Sequence, residues 1–407
     1  MNECREPELV SGFVNLRLQM PFRIPIWVVA GLSSFVILCA RSAQSMGRLP
    51  ADPGYGYVSE AIDRGVWVMG SGDPYYHVAA RAIALIVSWF PLASQAIVMA
   101  LQVHLVWSLC AAIIAVVTYR QSGQIIVGIV SGLCLALVPH ASESGIGNVG
   151  NVKWPLLAAL VVTCASTKLQ PHDIRWIAPL VLITGLTQPI TALALLPIVI
   201  RAASVQRISK TDATISLLII GSIALQLQKV GLATAATGQA TKITRPWDGM
   251  GLFWWSGVVA PILVSVAVIV ICVITRMRKK QQSVFIFALG LMTLVIAGVS
   301  YRLGGIADRY FIVPMTLALI TALHVTLLLA QLLPKLRLLL LCALGIGVLI
   351  PAAKWFSAGW YMTSGPTWRA EIVRARSLCT LNNDKVVELS ISPSGTVEFR
   401  CDVVLDG

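Results

Sequence analysis

Long apolar runs alternate with short polar loops over most of the chain. One stretch, 174–203, is longer than a single span and is interrupted at Thr187-Gln188-Pro189. We interpret it as two short helices, because one straight helix needs only about twenty residues to span the hydrocarbon core. The pattern predicts an all-α polytopic membrane protein with about eleven transmembrane helices. The uninterrupted runs cover roughly residues 24–42, 92–119, 124–142, 152–167, 212–230, 251–275, 283–300, 310–331 and 337–356.

The composition supports a lipid environment. Residues of the AVILMFWYC set make up 57% of the 407 positions, and charged residues make up only 12%, about half the share that is usual in a soluble domain. A single water-soluble core could not bury this much apolar surface, so the lipid bilayer must be a partner. The net charge of +13 therefore indicates contact with anionic headgroups rather than with nucleic acid.

Basic residues fall in every second loop, for example Arg120, Lys168, Arg201 and the cluster 276–280. The positive-inside rule assigns these loops to the cytoplasm. We expect a cytoplasmic N-terminus, an uncleaved first span followed by polar residues instead of a cleavage site, and an extracytoplasmic C-terminus. This divides a cell-membrane protein into a multi-pass domain, 1–356, with an acidic first external loop (43–91, the first loop), and an extracytoplasmic tail (357–407, the tail).

The tail carries a β-hairpin pattern. Residues 386–391 and 396–399 alternate between apolar and polar positions on either side of a turn at 393–395, as in two short antiparallel strands. Cys379 and Cys401 flank this segment, and on an oxidising face they would form a disulfide; the alternative is two free thiols. No CxxC pair or His/Cys cluster in the sequence predicts a metal site.

Three carboxylates of the first loop are candidates for catalysis. Asp52 lies nearest the end of the first span, and Glu60 and Asp63 share a face if their stretch is helical. A carboxylate in a partly apolar cleft has a raised pKa and takes a proton from an alcohol. The alternative is that these acids only solvate the loop.

Two groups of polar residues near the same predicted face are candidates for substrate binding. His77 and Arg81 are four residues apart, so both would point the same way and could hold a phosphate. The alternative is a belt of Arg and aromatic side chains at the headgroup level. Asn148, Asn151 and Lys153 form a second rim that suits a sugar or a phosphate, with an ordinary polar turn as the alternative.

A third rim contains Arg302, Arg309 and Tyr310. Two arginines at the lip of a helix bundle suit a pyrophosphate or a lipid phosphate. Signatures for ATP, for NAD and for zinc proteases are missing from the sequence, which disfavours those enzyme classes.

Four local motifs resemble the GT-C class of membrane glycosyltransferases, particularly its actinobacterial members. The class often has two adjacent acids in its first loop, whereas here Asp52 is followed by Pro53. The matching segments are Asp73-Pro74-Tyr75-Tyr76-His77 with Arg81, Asn151-Val152-Lys153-Trp154, Gly185-Leu186-Thr187-Gln188-Pro189, and Arg309-Tyr310-Phe311-Ile312-Val313-Pro314.

The resemblance implies transfer of a sugar from a polyprenyl-phosphate donor to an envelope glycan or lipid acceptor outside the cytoplasm. Asp52 would be the base, with Glu60 or Asp63 in reserve, and the three polar groups would bind the donor and the acceptor. Some members of the class use a divalent cation, and the scattered acids neither demand nor exclude one. The alternatives are a transporter or lipid flippase, which needs ionisable residues near mid-membrane such as His324, and a non-catalytic subunit of envelope polysaccharide assembly.

Overall fold

The structure, a computed structural model, describes residues 24–50, 54–70, 75–139, 141–205, 208–237, 280–304, 308–357, 359–382, 385–392 and 395–406. Its helices are α1 (Ile26–Ser42), α2 (Gly54–Arg64), α3 (Val78–Val87), α4 (Gln95–Ser122), α5 (Ile125–Leu137), α6 (Ala141–Ser144), α7 (Lys153–Ala165), α8 (Ile174–Thr187), α9 (Leu195–Val205), α10 (Lys210–Thr237), α11 (Lys280–Gly304), α12 (Ile312–Leu332), α13 (Arg337–Lys354), α14 (Trp360–Thr363), α15 (Trp368–Asn382) and α16 (Cys401–Asp406). The strands are β1 (Val386–Ser390) and β2 (Thr396–Arg400), and short 3₁₀ helices cover Gly65–Gly70, Leu92–Ser94, Val149–Asn151, Pro171–Asp173, Pro189–Ala194, Asp308–Phe311 and Pro334–Leu336.

The described part of the chain is a helical membrane protein with a small two-stranded sheet near its C-terminus. Five of its helices are long and apolar enough to cross a bilayer: Leu92–Ser122, Lys210–Val230, Gln281–Tyr301, Arg309–Leu332 and Pro334–Lys354. Shorter apolar helices cover Ile26–Ser42, Val78–Val87, Ile125–Leu137, Val149–Ala165 and Pro189–Ser204. The predicted span 251–275 lies outside the described residues, so the total of about eleven crossings stays a prediction.

The predicted break in the long apolar stretch is present. Helix α8 ends at Thr187, and Gln188 is extended (φ −156°, ψ 139°), because the residue before a proline disfavours the helical conformation. A 3₁₀ helix, Pro189–Ala194, then leads into α9. The Thr191 hydroxyl donates to the Thr184 carbonyl (3.1 Å), which also accepts from the Gln188 N–H (3.1 Å), and so ties the 3₁₀ helix back to the end of α8.

Polar bonds join helix termini at one end of the bundle, which we call the Asp173 end. The Arg120 guanidinium near the end of α4 contacts both Asp173 carboxylate oxygens at 2.8 Å, just before α8. The Gln121 side chain donates to Thr167 (3.1 Å), after α7, and to the Gln281 carbonyl (3.2 Å), at the start of α11. Helices α4 and α7 therefore end where α8 and α11 begin.

The opposite end of the bundle is organised by Arg41, and we call it the Arg41 end. The guanidinium of this buried residue donates to carbonyls at the ends of two other helices, and a cation suits such unpaired carbonyls. Helices α1, α5 and α13 therefore finish together. The acceptors are Ala136 and Val138 (3.1 Å), at the end of α5, and Trp355 (3.0 Å) and Phe356 (2.9 Å), after α13.

Helices α4 and α5 approach closely because glycines face α4. A Cβ atom on Gly128 would lie 2.7 Å from the Ala115 carbonyl oxygen, and one on Gly132 would lie 2.6 Å from that of Ala111. Real Cβ atoms do not come this near to backbone, so these positions require glycine. The spacing of four residues is the small-residue pattern that lets membrane helices pack.

The tail has the hairpin that its alternation predicts. Strands β1 and β2 pair antiparallel, with Val386 opposite Arg400 and Ser390 opposite Thr396. A disulfide joins Cys379 in α15 to Cys401, the first residue of α16. Helix α15, the hairpin and α16 therefore form one cross-linked unit.

Candidate functional site

An ion pair joins α2 to α3 in the first loop. The Arg81 Nη1 atom lies 2.8 Å from the Glu60 Oε2 atom; the Arg81 side chain is fully buried, and that of Glu60 is 36% exposed. The Arg81 guanidinium also lies 4.9 Å from the centre of the Tyr57 ring, within the range of a cation–π contact. Glu60 and Arg81, predicted as a reserve base and a phosphate ligand, thus compensate each other's charge.

His77 has an unusual backbone conformation at the start of α3. Its φ of 50° and ψ of 39° lie in the left-handed region, and within the described residues no other non-glycine residue has a positive φ. Such a conformation costs free energy and is found most often at functional sites. The rings of Tyr57 and Tyr75 lie 5.5 and 5.7 Å from the imidazole, so aromatic contacts on α2 and before α3 hold it.

The interrupted helix pair and α10 support this segment. The Ala79 backbone N–H donates to the Thr187 hydroxyl (3.1 Å), at the break after α8. The Tyr76 N–H donates to the Gln226 side-chain carbonyl (3.1 Å), and the Gln226 amide donates in turn to the Gly185 carbonyl (3.1 Å). The Lys229 ammonium lies 4.5 Å from the centre of the Tyr76 ring. Tyr76 and the first turn of α3 are therefore fixed by α8 and α10.

The rim before α7 is built around a 3₁₀ turn. The Asn148 side chain accepts from the Gly150 N–H (3.0 Å), and the Asn151 side chain accepts from the Trp154 indole (3.2 Å). Both amides are buried, so these bonds shape the turn. The Lys153 ammonium lies 5.2 Å from the centre of the Trp154 ring.

The third rim meets the second through aromatic rings. The Tyr310 and Trp154 rings are 5.3 Å apart in an edge-to-face arrangement, and the Arg309 guanidinium lies 5.6 Å from the centre of the Tyr310 ring. Arg302 is in the last turns of α11, but its side chain lies outside the described set. The structure therefore places Lys153 on one ring, and Arg309 on the other ring, of one aromatic pair.

The two remaining carboxylates differ from Glu60. Asp63 is exposed at the end of α2. The pKa of Arg400 in β2 is raised mainly by the hydrogen bond and the charge of Asp402, and the charge of Asp63 makes a smaller contribution in the same direction. Asp63 therefore faces the tail and solvent. Asp52 lies outside the described residues.

The rims are linked into one region at the Arg41 end. Helices α2 and α3 both pack against the turn Val149–Asn151, and the Gln188 amide at the break donates to the Lys153 carbonyl (2.8 Å). Residues that sequence reasoning missed include Tyr57, Gln188 and Lys229. Lys229 carried a usable signal, because it is a charged residue late in an apolar run.

The described part of the chain contains no obvious set of metal ligands. Within those residues, no group of three or more His, Cys, Asp or Glu side chains comes together as potential ligands. Among the described side chains of this region, the available chemistry is that of carboxylates, the His77 imidazole, tyrosine rings and the cationic groups of Arg81, Lys153, Lys229 and Arg309.

Comparison with known proteins leaves the family open. No family model matches this chain, and no curated protein matches it. The function has to be argued from the geometry of the site.

Proposed function

We propose that this protein is a membrane glycosyltransferase of the GT-C type, which transfers a sugar from a polyprenyl-phosphate donor to an envelope glycan or lipid acceptor. The observation that supports the proposal is that three polar segments of the chain meet at one end of the helix bundle. The segments are far apart in sequence, yet at the Arg41 end the first loop packs against the turn before α7, and Trp154 at the start of α7 contacts Tyr310 just before α12. Acidic, basic and imidazole groups at one rim of a helix bundle suit a phosphate-linked substrate.

The proposed roles rest on the position of Asp52 in the sequence and on the burial and charge of the other residues. Asp52 is the base that takes the proton of the acceptor hydroxyl. Arg81 is buried against Glu60, so the pair fixes α2 on α3, and Glu60 is the reserve base. The donor phosphate is contacted by His77, Lys153 and Arg309, because each of these residues lies on a different one of the three segments that meet at the Arg41 end.

The buried polar residues of the spans favour an enzyme over a transporter. A transport pathway needs ionisable or strongly polar groups near mid-membrane. Gln226, which the sequence places inside a span, is bonded to Tyr76 and Gly185 and so belongs to the candidate site. His324 is fully buried in α12 with its ring 5.2 Å from that of Phe285, in apolar surroundings that suit a neutral core histidine.

The proposal places the Arg41 end outside the cytoplasm. Arg120, Lys168 and Arg201 lie in or beside the short loops of the Asp173 end, and basic residues in short loops are typical of the cytoplasmic side. The donor is then engaged on the extracytoplasmic side of the cell membrane, where its phosphate lies at the bilayer surface. About eleven crossings and a cytoplasmic N-terminus complete this topology.

The test is single substitution of the three carboxylates in the full-length protein, with turnover of the lipid-linked sugar measured in membranes and divided by the amount of folded protein. Asp52→Asn should lower turnover by about 100-fold or more, because the general base is lost. Asp63→Asn is the matched control and should leave turnover unchanged, because Asp63 is exposed. Normal turnover in Asp52→Asn, Glu60→Gln and Asp63→Asn alike would remove the catalytic assignment.

A further inference from the structure

The tail contacts both ends of the first loop. The backbone N–H of Trp368, the first residue of α15, donates to the Gly47 carbonyl (2.8 Å), and its indole N–H donates to the Leu92 carbonyl (2.7 Å). Gly47 and Leu92 bracket the stretch that contains α2, α3 and His77. One buried residue therefore joins the point where this stretch leaves the bundle to the point where it returns.

A second contact holds the beginning of the loop. The Ser392 N–H, just after β1, donates to the Leu49 carbonyl (2.8 Å), and Ser392 forms a parallel β-bridge with Pro50. The Arg48 side chain donates to the Gly365 carbonyl (3.2 Å). The backbone that leads into the carboxylate-bearing segment is thus paired with the tail along consecutive residues.

The two contact points are fixed relative to each other inside the tail. The buried Glu371 carboxylate accepts from the Ser390 N–H (2.8 Å) and pairs with Arg374 (2.7 Å), which also donates to the Glu388 carbonyl (2.7 Å). The Trp368 ring lies 6.0 Å from that of Phe399 in β2, and the Cys379–Cys401 disulfide closes the unit. Helix α15 and the hairpin therefore act as one body.

We propose that the tail is the positioning element of the site and that Trp368 is its central positioning residue. By tying Gly47 to Leu92, Trp368 keeps the first loop folded against the bundle with His77 in its strained conformation. The expected effect on catalysis rests on the proposed glycosyl transfer, whereas the role of the tail in fixing the first loop does not depend on that function. Displacement of reacting groups by about 1 Å is enough to lower a rate by about 100-fold.

The test uses the full-length protein in lipid nanodiscs with the substitution Trp368→Phe, which keeps the aromatic ring but removes the donor to Leu92. We expect amide hydrogen exchange in residues 54–70 and 75–91 to become about tenfold faster, because the loop opens more often. Exchange in α4 and α5 should stay unchanged. The matched control is Trp89→Phe, since the Trp89 side chain is exposed in the same loop.

Activity provides the second readout, with a polyprenyl-phosphate sugar as the probe. Loss of positioning should lower kcat by about tenfold with little change in KM, because donor binding is retained while the reacting groups are displaced. A second variant, Ser392→Pro, removes the donor to Leu49 and should give the same pair of effects if Trp368→Phe does not fold.

The outcomes separate the two proposals. Unchanged loop exchange in both variants would overturn the positioning role, and so would faster loop exchange with an unchanged kcat. Faster loop exchange in a protein whose wild type transfers no sugar would support the role of the tail in fixing the loop and would contradict the proposed function.

Discussion

At the residue scale, His77 is held in a backbone conformation that its side chain does not favour. A left-handed non-glycine residue costs about 1–3 kcal/mol. The neighbouring structure enforces it, because the N–H groups of Tyr76 and Ala79 are bonded to α10 and to the break after α8. The strained backbone of His77 is therefore maintained by hydrogen bonds on both sides of it, and this favours a functional role for the imidazole.

The substitution His77→Asn separates stability from function. Asparagine tolerates the left-handed region, so thermal unfolding in detergent should occur at the same temperature or slightly higher, while sugar transfer should fall by about tenfold or more through loss of a phosphate contact. His172→Asn, at an exposed histidine beside Asp173 at the opposite end, is the control for transfer and should leave it unchanged. A marked loss of stability together with normal transfer would show that the imidazole is only structural.

The Glu60–Arg81 pair gives a second prediction at this scale. Glu60→Gln removes the negative charge that contacts the fully buried Arg81 guanidinium at 2.8 Å, so we expect a loss of about 1–3 kcal/mol in the free energy of unfolding. Asp402→Asn breaks an exposed ion pair with Arg400 and should have no measurable effect. Denaturant unfolding of both variants in the same detergent checks this, and equal stabilities would contradict the importance of the buried pair.

At the element scale, apolar run length and turn residues predict much of the fold. Pro189 marks the break after α8, and the alternation around residues 386–399 predicts both strands. The bonds of Asn148 to the Gly150 N–H and of Asn151 to the Trp154 indole could not be predicted, because an amide suits a ligand and a turn equally well. The pairing of Gln226 with Tyr76 depends on how α10 packs on α8, which a local pattern does not contain.

The α4–α5 contact is open to a direct test at this scale. Gly132→Ala places a methyl group where the Ala111 carbonyl oxygen already lies, so the helices must separate, at a cost of about 1–3 kcal/mol. Gly221→Ala in α10 meets nothing within 4 Å and should be neutral or slightly stabilising through helix propensity. Thermal unfolding that is unchanged by Gly132→Ala would contradict the close packing.

At the scale of the whole molecule, the two ends of the bundle differ in their chemistry. The Asp173 end is closed by ion pairs between helix termini, whereas the Arg41 end holds the first loop, the rims and the tail. Composition alone predicts the membrane environment, because so few charged residues cannot keep so much apolar surface in water. The convergence of the rims could not be predicted in the same way, since it depends on the order in which the helices pack.

The contribution of the Asp173 end to stability should depend on pH in a predictable way. Burial works to raise the pKa of Asp173, but the hydrogen bonds from Arg120, the Gln170 N–H and the Trp176 indole outweigh it, and the pKa is held below its ordinary value. A lowered folded-state pKa contributes stability above about pH 4, which is lost as the pH falls further. The unfolding temperature should therefore be steady from about pH 7 to 5 and drop below about pH 4.

The variant Asp173→Asn isolates this contribution. It should unfold at a lower temperature than the wild type at neutral pH and should show a smaller further drop in acid, because the carboxylate is already missing. Parallel pH profiles for the two proteins would show that the acid sensitivity arises elsewhere.

The most direct test of the proposed function is transfer by the purified full-length protein in proteoliposomes that contain synthetic polyprenyl-phosphate hexose or pentose and a lipid acceptor. The measured quantity is the release of free polyprenyl phosphate together with glycosylated acceptor. The account predicts release by the wild type and by His172→Asn, and its loss in Asp52→Asn and His77→Asn. Equal release by the wild type and both site variants, or none from the folded wild type with any donor, would contradict it.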